Sequence, residues 1–402
     1  MTPLVHVVGI GADGWEGLAP GPQALVLHAD VLLGGARHLA LVPDVAGQRR
    51  EAWPSPLREG LPELLGSLDG RAVVALASGD PFVSGIGSTL VGLLGADGVV
   101  VLPHVSSVAL AASRLGWSSE SYDTVTLVGR DPAVLARWVA PGRRLLLLSS
   151  DGTTPAVVAD LLSGLGYGAS SMTVLGDLAA ATETRTHHPR ADCFSGDAPR
   201  LNVVALTCAV DDPAVHRPTL PGLPDDAFEH DGQLTKRDVR ASALARLAPA
   251  PGELLWDVGA GAGSVGIEWM RAHPRNRAVA VEAHQERADR VVRNAEALGV
   301  PALEVVRGRA PDALAGLPAP DAVFVGGGAT VEGVLEACVA ALRPGGRLVV
   351  HGVTLETETR LHRAFVEHGG EMTRLSVEHA DSIGGFTGWA PARAVVQWSM
   401  RA

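Results

Sequence analysis

An acid and three glycines at alternate positions are the residues best placed to do chemistry in this chain. They are Asp257, Gly259, Gly261 and Gly263, inside ELLWDVGAGAGSVGIEW, Glu253–Trp269. The apolar run before them, Leu254, Leu255 and Trp256, suits a buried parallel strand. Val265, Trp269 and Met270 after them are spaced for a helix. A strand, a glycine turn and a helix start together make a nucleotide-type pocket, where backbone N–H groups can approach a ligand closely. Gly261, Gly263 and Gly266 also fit G-x-G-x-x-G, the dinucleotide pattern. A dinucleotide site keeps the residue two before its first glycine apolar. Here Asp257 holds that place, and its carboxylate would repel a pyrophosphate and suit a cation. Glu282 ends the next apolar strand, 277–281, where a ribose hydroxyl would need an acceptor. The alternative is a glycine-rich turn that binds nothing.

A chain of 402 residues, 47% hydrophobic and 19% charged, predicts two or three well-cored domains to carry such a site. No apolar run approaches a membrane span. The start, MTPLVHVVGIGADG, has no basic region and runs straight into a strand, so no signal peptide is expected. Cys193, Cys208 and Cys338 lie far apart without metal-ligand spacing and read as reduced thiols of a cytoplasmic protein. A net charge of −11 argues against nucleic acid as the main partner. Lys236 is the single lysine, so 33 − 1 = 32 basic residues are arginines, forked donors suited to carboxylates.

The order of elements predicts an α/β protein in two halves. In the first half, strand 4–10 meets Gly9, Gly11 and Gly14, but Pro20 and Pro22 delay the helix to about 23–29, and strand 31–33 ends in Gly34-Gly35 without an acid. A dinucleotide site fails on both counts. Strand 71–77 delivers Ser78, Gly79, Asp80 and Pro81; strand 99–102 leads to Pro103, His104, Ser106 and Ser107. Strands near 124–128, 144–148, 172–175 and 202–206 follow, predicting two α/β lobes (about 1–104 and 105–211) with mostly parallel sheets. A proline-rich stretch, 212–224, reads as the linker between domains 1–211 and 225–402. Beyond it, Thr235 is a plausible N-cap for a helix 236–247. Strands at 254–257, 278–282, 303–306 and 322–325 alternate with helices 264–272, 285–298 and 331–342; Pro344-Gly345-Gly346 then enters a fifth strand. A last helix and a hairpin of about 372–379 and 394–400 complete a seven-stranded sheet.

The D-x-G-x-G-x-G arrangement at Asp257–Gly263 resembles motif I of the class I S-adenosylmethionine (SAM) methyltransferases. The first-half turns, with Gly9, Gly11, the SGDP turn and Pro103–Ser107, resemble the tetrapyrrole (corrin/porphyrin) methyltransferases, which hold SAM between two α/β lobes. That family commonly carries a proline where Ala12-Asp13 stands here. FEHDGQLTK, GRAPDAL, DAVFVGGG and GGFTGW look like the decarboxylating precorrin methyltransferases of cobalamin biosynthesis. The resemblance implies SAM at two sites per chain. Gly9, Gly11, Gly79, Asp80, Pro81, Ser106 and Ser107 would wall the first; Thr235, Asp257, Gly259, Ala260, Gly261, Ala262, Gly263, Glu282 and Ala310 the second. It further implies methylation of a tetrapyrrole at carbons 5 and 15 and loss of carbon dioxide from the carbon-12 acetate, and a homo-oligomer is expected.

Methyl transfer from a sulfonium needs alignment and dryness more than acid–base groups, and no activated-serine or metal-ligand constellation is visible. Arg37, His38, His104, Arg309 and His351 are the candidates for gripping substrate carboxylates; taken alone, Arg37 and His38 read first as a solvated helix start. Phe386 and Trp389 in GGFTGW read either as a lid against a flat macrocycle or as a hairpin plug. The other readings are a fused pair acting on a different macrocycle, for example a cobalt-containing one, and a chain in which one half only senses SAM.

Overall fold

A computed structural model describes residues 4–211 and 217–402, and every count below refers to them. The start of the expected linker, 212–216, lies outside the described residues. The chain divides into two compact units, residues 1–132 with 141–214, and 133–140 with 215–402.

The first lobe of unit one has strands β1 (Val5–Ile10), β2 (Val31–Gly34), β3 (Arg49–Ala52), β4 (Val73–Ser78) and β5 (Val99–Leu102). They form a parallel sheet in the order β3-β2-β4-β1-β5. Apolar residues fill both faces of β1: Val5 and Val7 enter one core cluster, Val8 and Ile10 the other. Burial on both faces explains why this strand is an unbroken apolar run. The second lobe has β6 (Asp123–Thr126), β7 (Arg144–Leu148), β8 (Ser171–Gly176), β9 (Thr184–His188) and β10 (Asn202–Thr207), ordered β6-β7-β10-β8-β9. Only β6 and β7 pair in parallel; β10 runs antiparallel to β7 and β8, and β9 to β8. The expected mostly parallel arrangement is therefore corrected here. The polar sequence of β9, TRTHH, carries no apolar alternation to reveal it.

Unit two holds β11 (Leu254–Val258), β12 (Arg277–Glu282), β13 (Glu304–Arg307), β14 (Ala322–Val325), β15 (Arg347–Gly352), β16 (Glu371–Leu375), β17 (Glu378–Ile383), β18 (Phe386–Pro391) and β19 (Val395–Arg401). Seven of them make one sheet, β13-β12-β11-β14-β15-β19-β16, with β19 antiparallel to both neighbours. Alternate residues of β11 split between its two faces: Leu255 packs with Ala280 and Phe324, Trp256 with Val279 and Val323. The strand order reverses at β11, so the crevice beyond its C-terminal end is where a ligand is expected. The expected hairpin strands, β16 and β19, pair antiparallel and complete the seven-stranded sheet; the added feature is the pair β17 and β18 between them, which bond only to each other. The helix after the linker runs Arg237–Leu247 with Lys236 at its N-cap, so Thr235 is not the cap; Asp225 Oδ1 accepts from Arg237 N at 3.0 Å instead. Among the described residues no helix is long and apolar enough to cross a membrane.

Candidate active site

In unit two, a cavity of about 1290 Å³ opens at the C-terminal ends of β11, β12, β14 and β15. Of the expected cofactor residues, Thr235, Gly259, Ala260, Gly261, Glu282 and Ala310 line it. Gly259 is at φ +69°, and a Cβ there would meet Gly327 N and O at 2.9 Å. Only glycine lets the first turn of motif I approach the loop after β14 so closely.

Four of the turn's donors are used inside the protein. Gly259 N and Ala260 N donate to Val281 O, Gly263 N to Ala260 O, and Gly261 N to Glu282 Oε2 at 2.9 Å. These N–H groups do not form the ligand-facing nest expected from the glycine spacing. A site whose floor is already hydrogen-bonded and acidic is unsuited to a pyrophosphate, which needs free donors.

Asp257, Ala262 and Gly263 lie beneath the cavity rather than in its wall, and Asp257 is 1% exposed. Its Oδ2 accepts from Gly266 N at 2.9 Å, tying the strand end to the helix that follows. Its Oδ1 is buried with no partner. Burial pushes this carboxyl up to about 7, against the pull of the Gly266 hydrogen bond, and the nearby charge of Glu282 pushes the same way. An orphaned acceptor backing a second buried acid is a place that gains from a cationic ligand. The residues present therefore fit SAM, whose ammonium and sulfonium are positive.

The wall containing Thr235 is held by charges the sequence did not flag. Arg240, fully buried, donates from Nε to Glu268 Oε1 at 2.7 Å, from Nη1 to Asp225 Oδ1 at 3.2 Å, and to the carbonyls of Thr235 and Leu223. Glu268 also accepts from Gly222 N and Leu223 N. One buried cation thus pins segment 222–237 to Glu268 on the helix Ser264–Ala272, and no local motif announces it. Lys236 pairs with Asp225 at 3.6 Å, an ordinary ion pair.

The far end of the cavity is mixed: Val353, Leu375, Val377 and Val395 supply apolar surface, Arg309, Arg393 and His379 polar groups, and His351 a buried imidazole. Arg309 and Arg393 have no ion-pair partner among the described residues, so both are available to an anion. Arg393 had no signal in the sequence, because it enters the cavity only through the fold of the hairpin base. Phe386 and Trp389 are 84% and 70% exposed on β18 and do not line the cavity.

In unit one the expected residues gather at the ends of β1, β4 and β5, but for a different reason. A Cβ on Gly9 would lie 2.0 Å from Gly79 O and 2.6 Å from His104 N. Gly79 N donates to Ile10 O, and His104 N to Gly79 O. Gly11 is packed on the Asp13 carboxylate, which a Cβ would meet at 2.3 Å. Asp80 Oδ1 accepts from Phe82 N, with Pro81 buried behind it, and Ser106 caps the helix that begins at Ser107, accepting from Ala109 N. His104 Nε2 lies 3.1 Å from Gly17 O, which makes it a support for the turn. Arg37 donates from Nη2 to His38 Nε2 at 2.7 Å. Burial, with Arg37 adding to it, brings His38 down to about 4, so it is a neutral partner of Arg37 rather than a second cation.

Residues 4–192 match the tetrapyrrole (corrin/porphyrin) methylases, and residues 226–402 match a precorrin methyltransferase domain. A precorrin-6Y C(5,15)-methyltransferase (decarboxylating) from a Sinorhizobium species is 45% identical over 399 residues, 99% of this chain and 96% of that protein. Two shorter proteins also match. One, from Pyrobaculum calidifontis, is a probable cobalt-precorrin-6B C(15)-methyltransferase (decarboxylating), 37% identical over 42% of this chain and 89% of its own. The other, from Salmonella typhimurium, is a cobalt-precorrin-7 C(5)-methyltransferase, 30% identical over 50% of this chain and 98% of its own. A tetrapyrrole methylase followed by a SAM-dependent precorrin methyltransferase domain defines a two-part transferase of corrin synthesis. The chain belongs to the precorrin-6Y C(5,15)-methyltransferase (decarboxylating) family.

Proposed function

We propose that each unit carries its own SAM site, and that the chain converts precorrin-6Y to precorrin-8X in the cytoplasm. Unit one would methylate carbon 5; unit two would methylate carbon 15 and remove the carbon-12 acetate carboxyl. The carrying observation is the unit-two cavity, with an acidic glycine-floored end suited to a cationic cofactor and a far end offering Arg309 and Arg393 to a polycarboxylate. The two shorter relatives support the division of labour, since carbon 5 and carbon 15 activities carry separate names there. The carbon 5 relative aligns over 206 residues, longer than the whole 226–402 stretch, so its match extends beyond the second domain.

When bound, SAM supplies a methyl group on a cationic sulfur. The protein's own contribution is positioning. Glu282 and the turn fix the cofactor end, Arg309 and Arg393 hold retained carboxylates, and the apolar wall excludes water. In unit one, the packed turn of Gly9, Gly79 and His104 would form the cofactor floor, and Arg37, backed by the neutral His38, a carboxylate grip. The exposed Ile383, Phe386 and Trp389 on β17–β18 support association of chains, which light scattering of the wild type against Trp389→Ser checks.

Calorimetry on the full chain should find two SAM equivalents, one lost in Glu282→Ala. That variant should also stop carbon dioxide release while carbon 5 methylation continues. A single equivalent in the wild type, or carbon dioxide release surviving loss of the unit-two site, rejects the proposal. Because both shorter relatives are named for cobalt-containing substrates, the assay includes metal-free and cobalt-loaded forms.

A further inference from the structure

His351 lines the unit-two cavity from β15 and is 8% exposed. Its Nε2 lies 2.9 Å from the side-chain amide of Gln397, its cross-strand neighbour on β19. The other atom of that amide faces Arg246, whose Nε and Nη1 are 2.9 and 3.2 Å away. A guanidinium can only donate, so the atom facing it is the Gln397 carbonyl oxygen. The NH2 group then points at His351, and Nε2 must accept. An imidazole accepting at Nε2 carries its proton on Nδ1.

The surroundings fix this polarity. Arg246 is itself anchored by Ser242 Oγ at 3.0 Å and Glu371 Oε1 at 2.7 Å. Gln397 is 1% exposed, and Phe324 packs edge-on against the imidazole, centroids 4.9 Å apart and planes at 90°. Burial brings the ring down to about 4, with Arg246 adding to the effect, and an amide N–H facing Nε2 likewise disfavours a second proton, so the ring stays neutral through the physiological range. Nδ1 makes no hydrogen bond to a described residue and is the nitrogen left for the cavity.

We infer that His351 is a neutral Nδ1–H donor that orients the substrate carboxylate destined to leave, with Gln397 and Arg246 as positioning residues that fix its proton. This rests on the decarboxylation proposed for unit two. In that step the bond between the acetate methylene and its carboxylate breaks, carbon dioxide departs, and the electron pair passes into the conjugated macrocycle. A solvent proton later completes the methyl group. A cation paired with the leaving carboxylate would hold its charge in the ground state. A neutral donor, in a cavity that Val353, Leu375 and Val395 also line, orients it without doing so. Arg309 and Arg393 remain for carboxylates that stay.

The test begins with ligand-free, nitrogen-15-labelled full-length protein at neutral pH. Long-range proton–nitrogen correlation, with the His351 signals assigned from His351→Asn, should show a protonated Nδ1 and a bare Nε2. A protonated Nε2 or an imidazolium overturns the inference. In Gln397→Glu, a carboxylate accepting from both Arg246 and the imidazole should move the proton to Nε2 or charge the ring. Carbon dioxide release should then fall about tenfold or more, the value of one hydrogen bond to a charged group, with SAM affinity unchanged. His351→Asn, whose amide can occupy the place of Nδ1–H, should keep most of the release; His351→Leu should lose it like Gln397→Glu. Equal rates in His351→Asn and His351→Leu overturn the inference, as does a wild-type rate in Gln397→Glu once its tautomer has moved. A wild-type chain that releases no carbon dioxide from precorrin substrate rejects the proposed function and with it the substrate half of this inference, while the nitrogen spectra still decide the positioning half.

Discussion

In unit one, Gly9 stands where a methyl group would meet Gly79 O at 2.0 Å and His104 N at 2.6 Å. In unit two, Gly259 stands at φ +69° with Gly327 backbone 2.9 Å from where its Cβ would be, and it lines an open cavity. Both turns follow a buried strand and read G-x-G in sequence. The first needs glycine because three loop backbones touch there, whereas the second needs it both for a left-handed turn and for the approach of the loop after β14. Their support differs too: unit one's turn is held by its immediate neighbours, while the cavity wall of unit two is pinned from behind by a buried ion cluster. A shared glycine pattern therefore marks close approach, and the tertiary surroundings decide what approaches.

The largest expected effect separates the two kinds of support. Arg240→Met leaves Glu268 buried without its cation and should cost unit two about 3–5 kcal/mol, read as an earlier denaturant transition of that unit. If unit two is unmoved and still binds SAM, the wall is not pinned as described. Gly9→Ala should cost unit one about 3 kcal/mol, since backbone rather than flexible side chain must shift. The SAM equivalent of unit two should survive that change; losing both would erase the distinction between the turns.

Gly259→Ala is expected to weaken SAM binding in unit two roughly tenfold or more, with a strain cost of about 1–2 kcal/mol. Calorimetry on the full chain reads the first quantity and unfolding the second. Asp257 predicts a pH signature. Its folded pKa, near 7, lies above the ordinary 3.8, so between those values the folded state holds a proton that the unfolded state has lost. This group's contribution to stability therefore falls as pH rises from about 4 to about 7. Asp257→Asn should flatten the unit-two stability curve across that window, and an unaltered slope would show that the carboxyl titrates normally. The smallest effect is expected from Asp80→Ala, which removes one turn hydrogen bond from Phe82 N and should cost about 1 kcal/mol.

Much of the architecture was readable because buried parallel strands are continuous apolar runs and Gly or Pro punctuates them. β1, β4, β11 and β14 are of this kind. β9 and β3, TRTHH and RREA, escaped because exposed edge strands carry no such run. The mixed pairing of the second lobe escaped because strand direction is set by connections, not by composition. At the site, Glu282 was legible because it ends a strand beside the glycine turn and Ala310 through the resemblance at GRAPDAL, whereas Arg393, Arg246 and Gln397 come from distant segments with unremarkable spacing.

Local sequence determined that this chain has two glycine turns on α/β frames, and that the second carries an acid unsuited to pyrophosphate. Period, punctuation and residue charge act over a few neighbours and can be read directly. Tertiary structure alone decided that the motif I N–H groups are spent internally, that Asp257 lies under the floor, and that His351 presents Nδ1–H to the cavity. The last two depend on groups that meet across 9 and 46 positions of chain, and hydrogen-bond polarity is settled only when both partners are in place.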